Sequence, residues 1–268
     1  MERAIDKLRE SPHWSYSALN TYLNICQLKF YFQYIERAEP ERQAACFPFG
    51  RAYHAVLTEQ ARLAITGRSL STNEADTMFD DFFSVEVKAL GKLLVCKPDE
   101  SITALRDKGH LMLQTALLYW QDFYNIRSVA EAFTITVPGL SKPLIGEFDL
   151  VVDDGRDCCI VDWKTSARKW SEGKAHTELQ ASVFSYAYFR QHGNEPVFRF
   201  DVLTKTKTPE FTSHYTQRDA DDFGRVEYLA NLVEQGVAKG VFIPNETCFS
   251  CADCAYKTKC KVIHRKGI

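Results

Sequence analysis

At 268 residues, 45% of them hydrophobic and 25% charged, the chain has enough apolar material for one large domain or two small ones. That content, with a net charge of −2, excludes an intrinsically disordered chain. No uninterrupted apolar run approaches the roughly 18 residues that a membrane span needs. The N-terminal Met-Glu-Arg-Ala-Ile-Asp-Lys lacks the apolar stretch of a secretory signal, so the expected address is the cytoplasm.

In chain order, Ser15 or Ser17 can cap a first helix whose stripe is Leu19, Tyr22, Leu23, Cys26 and Phe30. A loop around Pro40 and Pro48 leads to Phe49-Gly50-Arg51-Ala52-Tyr53-His54, which opens a second helix to about Thr66. From Asn73 to Arg127 the pattern is helical again, with Leu105, Leu113, Ala116, Leu117, Trp120 and Tyr124 at helical spacings. This block brings no polar set together, and residues 60–128 read as a helical insertion. At Val129 the texture changes: Phe133, Ile135 and Val137 alternate with polar residues, as in a strand. Gly146–Val152 and Cys158–Trp163 form two more strands around the turn Asp153-Asp154-Gly155-Arg156-Asp157. A helix over Lys174–His192 is stopped by Gly193-Asn194, with Pro196 beyond. Strands at Val197–Leu203 and Glu210–Tyr215 and a helix over Arg218–Lys239 precede a cysteine cluster at 248–260. Without repeats or a flexible linker, the expectation is one composite α/β domain over 1–268.

The turn sets a strand register. With Gly155 and Arg156 at its centre, Asp149 faces Asp162 and Glu147 faces Lys164, and residues two apart share a face. One face then carries Glu147, Asp149, Asp162 and Lys164, the other Phe148, Leu150, Val161 and Trp163. Two opposed aspartates destabilise a hairpin unless positive charge lies between them. A hard divalent cation meets that need, and a neighbouring lysine can steady its water and the charge that develops on attack. The alternative is a solvated hairpin face with incidental charges, which leaves Ile160, Val161 and Trp163 hard to place.

Gly146-Glu147-Phe148-Asp149 followed by Ile160-Val161-Asp162-Trp163-Lys164-Thr165 resembles the core motif of PD-(D/E)XK nucleases, most closely the RecB-like branch. That branch includes the RecB and AddB nuclease domains and CRISPR-associated adaptation nucleases. Tyr16-Ser17, Phe49-Gly50 with His54, and Leu179-Gln180 fit the same pattern, in order. The resemblance implies a restriction-endonuclease-like core, with a central mixed β-sheet flanked by helices. It implies Mg²⁺ or Mn²⁺ held by His54, Asp149, Asp162 and the main-chain carbonyl of Trp163, with Lys164 catalytic. Gln180 would open a helical Gln-x3-Tyr motif that contacts DNA and supports the lysine. The expected activity is hydrolysis of single-stranded DNA or DNA ends in repair, recombination or related processing, leaving 5′-phosphate and 3′-hydroxyl ends. Unwinding would come from a partner helicase, because no phosphate-binding Gly-rich loop with lysine is present. Two departures stand out: Phe148 replaces the proline before the first aspartate, and Phe184 replaces the tyrosine after Gln180, unless Tyr186 supplies the hydroxyl. A nucleic-acid-binding or scaffold subunit without catalysis is the alternative.

There are nine cysteines, and Cys248, Cys251, Cys254 and Cys260 crowd the last 21 residues. In a reducing compartment such a cluster reads as metal ligation. Cys251, Cys254 and Cys260 supply three thiolates, and a fourth ligand is needed for zinc or a [4Fe–4S] cluster. Spacing favours Cys248 and a local zinc-type knuckle. The resemblance favours Cys26, closing a [4Fe–4S] cluster that staples the two ends of the chain. Cys46, Cys96, Cys158 and Cys159 read as packing, with the last two on opposite strand faces. Basic residues follow the proposed site (Lys164, Arg168, Lys169, Lys174), the next strand pair (Arg199, Lys205, Lys207) and the last cysteines (Lys257, Lys259, Lys261, Arg265, Lys266). They read as phosphate contacts. Trp170, Phe184 and Tyr186 could stack on bases, although burial is the safer expectation for them.

Overall fold

The computed structural model describes residues 3–120, 125–153 and 158–266, with side chains through 263. Tyr124, turn residues 154–157, and the Arg265 and Lys266 side chains lie outside what it describes. The elements run α1 (Ala4–Arg9), β1 (Trp14–Ser15), α2 (Tyr16–Asn20), α3 (Gln27–Phe30), β2 (Gln43–Ala44), α4 (Cys46–Ile65), α5 (Thr72–Leu90), β3 (Leu94–Val95), α6 (Ile102–Tyr119) and β4 (Ile126–Ile135). After these come β5 (Leu144–Asp153), β6 (Cys158–Ser166), α7 (Lys174–Thr177), α8 (Leu179–His192), β7 (Val197–Thr204), β8 (Phe211–Gln217), α9 (Ala220–Ala238) and α10 (Lys257–Lys266).

Local chemistry explains most boundaries. Ser15 caps α2 by accepting from the Ala18 N–H, a contact worth about 1 kcal/mol. Capping boxes at Ser71 and Asp219 start α5 and α9. Gly193, with φ of 78°, ends α8 where the sequence placed the stop. Three expectations change. The first helix is two short α-helices, each followed by a π-helical turn, because Cys26 is extended and its sulfur caps α3. The block from Asn73 to Arg127 is α5 and α6 separated by β3, and Ile126 and Arg127 already belong to β4. The helix expected from Lys174 breaks at Glu178, whose ψ of 116° is extended.

The main sheet has the order β1-β5-β6-β7-β8, with β4 on the other edge of β5; β6 and β7 are parallel and β4-β5, β5-β6 and β7-β8 antiparallel. Leu150 pairs with Val161 and Asp153 with Cys158, which is the register expected from the turn. The recorded ladder stops at Leu150–Val161, one pair short of Asp149 and Asp162. Further down, the free side of β5 pairs with β1 at Leu144 and Ile145. Glu147 consequently does not face Lys164; it pairs with Ala132 across β4 and lies 3.9 Å from Arg3. Two strands that part in mid-course leave a gap in the sheet, and the acids stand at its edge.

The hairpin faces also differ from strict alternation. Leu150, Val161 and Trp163 enter one core with α4, α5 and α6, but Phe148 joins the opposite core with Phe133 and Phe184. Opposite Asp149, Ala130 of β4 has φ of 49°, a left-handed conformation that L residues avoid. It interrupts the pleat between Phe148 and Leu150. The second of these cores, that of Phe148, also takes in α2, α8 and α9. A third, smaller core joins Leu28, Phe32 and Tyr256, bringing the early helices against the C-terminal segment.

Gly146 lets Phe133 lie across β5: a Cβ there would come within 2.3 Å of the Phe133 ring, in the core. Gly146→Ala is expected to lower stability by about 1–3 kcal/mol through overpacking, read by thermal unfolding; an unchanged melting temperature would contradict this packing.

Candidate active site

Four elements deliver polar side chains to the gap between β5 and β6. Asp149 comes from β5, Asp162 and Lys164 from β6, His54 from α4 and Gln180 from the first turn of α8. His54 reaches the site because α4 packs over β5 and β6 through Phe49, Tyr53, Val56 and Leu57, buried with Leu150, Val161 and Trp163. Its Nδ1 lies 3.3 Å from Asp149 Oδ2, and its ring meets Trp163 edge-on at 6.0 Å. Where the ladder has stopped, the Trp163 amide donates instead to Asp149 Oδ2, at 3.0 Å. The first carboxylate is thereby fixed by a neighbouring backbone group and an imidazole.

Asp162 is 3% exposed. Gln180 Nε2 donates to its Oδ1 at 2.5 Å, and Lys164 Nζ stands 2.5 Å from its Oδ2. That Oδ2 atom is fully buried and makes no hydrogen bond of good geometry. Lys164 also lies over the Phe200 ring, 5.8 Å from its centroid, an apolar seat that keeps the ammonium near the acid. A hydrogen bond to a buried carboxylate contributes about 1.5–3 kcal/mol, so Gln180 orients Asp162 firmly. Gln180 supports Lys164 through their shared carboxylate and does not touch the ammonium.

The electrostatics divide the two acids. Burial pushes the Asp162 carboxyl up to about 6; Lys164 opposes this and the charge of Asp149 adds to it. Burial also works against ionisation of Asp149, but His54, Lys164 and the Trp163 amide outweigh it and hold that carboxyl below its ordinary range. Burial pulls the His54 imidazolium down, yet Asp149 more than compensates and holds it above the usual histidine range. Within the protein's own side chains, the two acids are thus neutralised by an imidazole and an ammonium. Among the described residues, no three His, Cys, Asp or Glu side chains are close enough to one another to form a metal site as they stand. The donor set nevertheless fits a hard divalent cation: two carboxylates, one of them buried with a lysine ammonium at its Oδ2, beside a neutralisable imidazole.

The DNA-side hydroxyl looked for after Gln180 is absent. Phe184 is buried against Tyr16, Phe133, Phe148 and Phe198. Tyr186 does not replace it, because its hydroxyl donates to Glu227 at 2.6 Å and accepts from Arg190 at 2.7 Å. The phenol near the centre is Tyr16. Burial, Glu178 and Asp162 all raise its pKa, and its ring packs edge-on against Phe184. The sequence offered Tyr16 only as a motif position. A second unforeseen residue is Arg218, 4% exposed, which donates to the Ala175, His176 and Glu178 carbonyls and to Ser182 Oγ. It binds together the break between α7 and α8, just before Gln180.

The cysteines gather at the other end. Cys26, Cys248, Cys251, Cys254 and Cys260 line one cavity of about 480 Å³, with Lys29, Lys257 and Lys261 at its wall. Cys26 Sγ accepts from the amides of Lys29 (3.4 Å) and Asn245 (3.3 Å). Burial, then the proximity of Cys26, Cys254 and Cys251, raises the Cys260 thiol, whereas Cys248 Sγ contacts Ser250 Oγ. Cys158 and Cys159 are buried in opposite cores, as expected, but Cys46 is exposed and is not packing. Several basic residues are already paired: Lys169 with Glu210, Lys174 with Glu178, Lys259 with Glu36, and the largely buried Arg199 with Asp201. Trp170 is half-buried between Phe200, His214 and Lys174.

No curated protein matches the chain. Among solved structures it is similar to one from Eubacterium rectale named "Putative exonuclease", at 13% identity and a TM-score of 0.56, covering 94% of this chain and 93% of that one. That likeness shows a shared fold. A second structure, named SSO0001, aligns over 92% of this chain and 95% of that chain at 11% identity and a TM-score of 0.40, too low for any argument. The sequence model of the PD-(D/E)XK nuclease superfamily matches residues 13–261, a span holding His54, Asp149, Asp162, Lys164 and Gln180, and the chain belongs to that superfamily.

Proposed function

We propose that this chain is a divalent-metal-dependent deoxyribonuclease of the RecB-like branch, folded as one domain over 1–268, acting on single-stranded DNA or DNA ends. The observation that carries this reading is the convergence of His54, Asp149, Asp162, Lys164 and Gln180 on the gap where β5 and β6 part. His54, Asp149, Asp162 and, by resemblance, the Trp163 carbonyl would hold Mg²⁺ or Mn²⁺. Bound there, the ion would polarise the scissile phosphate and supply a water of lowered pKa. Lys164, with its side chain 29% exposed, would present an ammonium to the attacking water and to the negative charge that develops on the phosphoryl oxygens. Gln180 fixes the orientation of Asp162, and the Trp163 amide that of Asp149. The products would carry 5′-phosphate and 3′-hydroxyl ends, and duplex substrates would need a separate helicase, as in repair or recombination.

The same reading assigns a [4Fe–4S] cluster to Cys26, Cys251, Cys254 and Cys260. Two amides directed at Cys26 Sγ suit a thiolate, and a cavity of about 480 Å³ leaves room for an inorganic core. The cluster would add a covalent tie where protein contacts already join the chain's ends: Asn245 Nδ2 to the Ile25 carbonyl, and Glu41 to the amides of Thr258 and Lys259 at the start of α10.

Cleavage of labelled single-stranded DNA with Mn²⁺ is expected to fall to background in Asp149→Ala and by about 10²-fold or more in Lys164→Ala; equal rates in all three proteins would remove the assignment. Ligation requires Asp162 and His54 to be unprotonated. Mn²⁺ affinity, measured by calorimetry, is therefore expected to be full above the raised pKa values and to fall about tenfold or more per pH unit below about pH 6. An affinity flat from neutral pH to pH 5 would contradict the ligand set. Anaerobically purified protein is expected to contain iron and labile sulfide, lost in Cys26→Ala and kept in Cys248→Ala; zinc without iron, or loss only in Cys248→Ala, would point to the local zinc knuckle.

A further inference from the structure

Five cysteines line the C-terminal cavity, Cys26, Cys248, Cys251, Cys254 and Cys260, whereas a [4Fe–4S] cluster takes four. The surrounding protein sorts them into two groups. Cys26, Cys254 and Cys260 pack against the third core of Leu28, Phe32 and Tyr256. Cys26 is fixed further by the amides of Lys29 and Asn245 on its sulfur. Cys260 lies on α10, where its amide donates to the carbonyl of the buried Tyr256 at 2.9 Å. Among the described residues, Cys248 and Cys251 are outside that core. They belong to a loop at the cavity's rim in which Phe249 is 87% exposed and Thr247, Ala252 and Asp253 are exposed as well.

The backbone gives the two rim thiols equivalent positions. The Cys251 amide donates to the Cys248 carbonyl at 3.0 Å, and the Cys254 amide to the Cys251 carbonyl at 3.3 Å. Each bond closes a four-residue turn, which brings its first and last Cα atoms within about 7 Å. Successive turns thus return three cysteines to the same cavity, the last of them anchored in the core and the two before it not. Cys248 and Cys251 are each half-buried although most of the loop around them is exposed. The contact of Cys248 Sγ with Ser250 Oγ, at 3.5 Å, is a weak one for a thiol and holds it little. Exchange of one thiolate ligand for its neighbour moves no electrons. The Fe–S bond to the outgoing sulfur breaks, that to the incoming sulfur forms, and the proton released by the incoming thiol passes to the outgoing thiolate.

We propose that Cys248 is a reserve ligand: Cys26, Cys254 and Cys260 hold three corners of the cluster, and the fourth is filled by Cys251 or, when that thiolate is lost, by Cys248. This rests on the cluster assignment above. The tie between the two ends of the chain then survives oxidation of the ligand in the open loop.

The test is the iron and labile sulfide content of anaerobically purified protein, with free cysteines located by iodoacetamide alkylation and mass spectrometry. In wild type Cys248 is expected to be alkylated and Cys251 protected. Cys248→Ala should keep the wild-type iron content. Cys251→Ala should keep most of it, and Cys248 should now be protected. The double variant Cys248→Ala/Cys251→Ala should lose the iron, as should Cys254→Ala and Cys260→Ala singly, because no neighbouring thiol replaces an anchored one. Iron in wild type but none in Cys251→Ala would overturn the reserve role and leave the cluster assignment standing. Iron kept in Cys251→Ala with Cys248 still alkylated would also overturn it, since another group would then fill the corner. So would zinc in wild type with Cys248 and Cys251 both protected, which would make the two thiols ligands together. Wild type holding neither metal would remove the cluster assignment, and this proposal with it.

Discussion

Two carboxylates buried side by side repel each other, and the architecture around them follows from the need to tolerate that repulsion. Asp149 and Asp162 cannot both be charged in a dry hairpin without nearby positive charge. Among the protein's own side chains this comes from His54 on one side and Lys164 on the other. The arrangement leaves one acid readily ionised and the other held back by burial. A site balanced in this way exchanges protons for a cation easily, which is the property a metal-dependent hydrolase requires.

The parting of β5 and β6 makes such a site possible. Had the ladder continued, the Trp163 amide would have had a backbone partner, and Asp149 would have lost the donor that fixes it. Instead β1 takes over the free side of β5, Ala130 interrupts the pleat, and Phe148 passes to the opposite core. The gap is open to helices of both layers, with α4 delivering His54 and α8 delivering Gln180. Arg218 holds the break that lets α8 begin where Gln180 can reach Asp162.

Away from the centre, the same economy of charge separates scaffold from surface. The ion pairs of Lys169, Lys174, Lys259 and Arg199 spend basic residues on intramolecular contacts, so a count of lysines in the sequence overstates what is free to meet phosphate. Lys205 differs because its half-buried ammonium lies over the Phe49 ring. At the far end, the third core and the contacts of Glu41 and Asn245 hold the cysteine segment against the early helices, which places Cys26 beside residues more than 200 positions later.

The sequence alone determined the elements whose causes are local. A serine cap at Ser15 or Ser17, the stop at Gly193 and the hairpin register between β5 and β6 were legible because each depends on a few adjacent residues; the structure chose Ser15. The order of Asp149, Asp162 and Lys164 around one turn likewise placed them together. The tertiary structure decided what depends on distant partners. These include the break at Cys26, whose sulfur caps α3, the early end of the ladder, and the diversion of Phe148 to the other core. Bringing Tyr16 within reach of the charges of Glu178 and Asp162, and seating Lys205 over Phe49, required knowing which helix packs on which side of the sheet. Such contacts bring together residues far apart in the chain, and their energies are set by burial and by neighbours that no local pattern specifies.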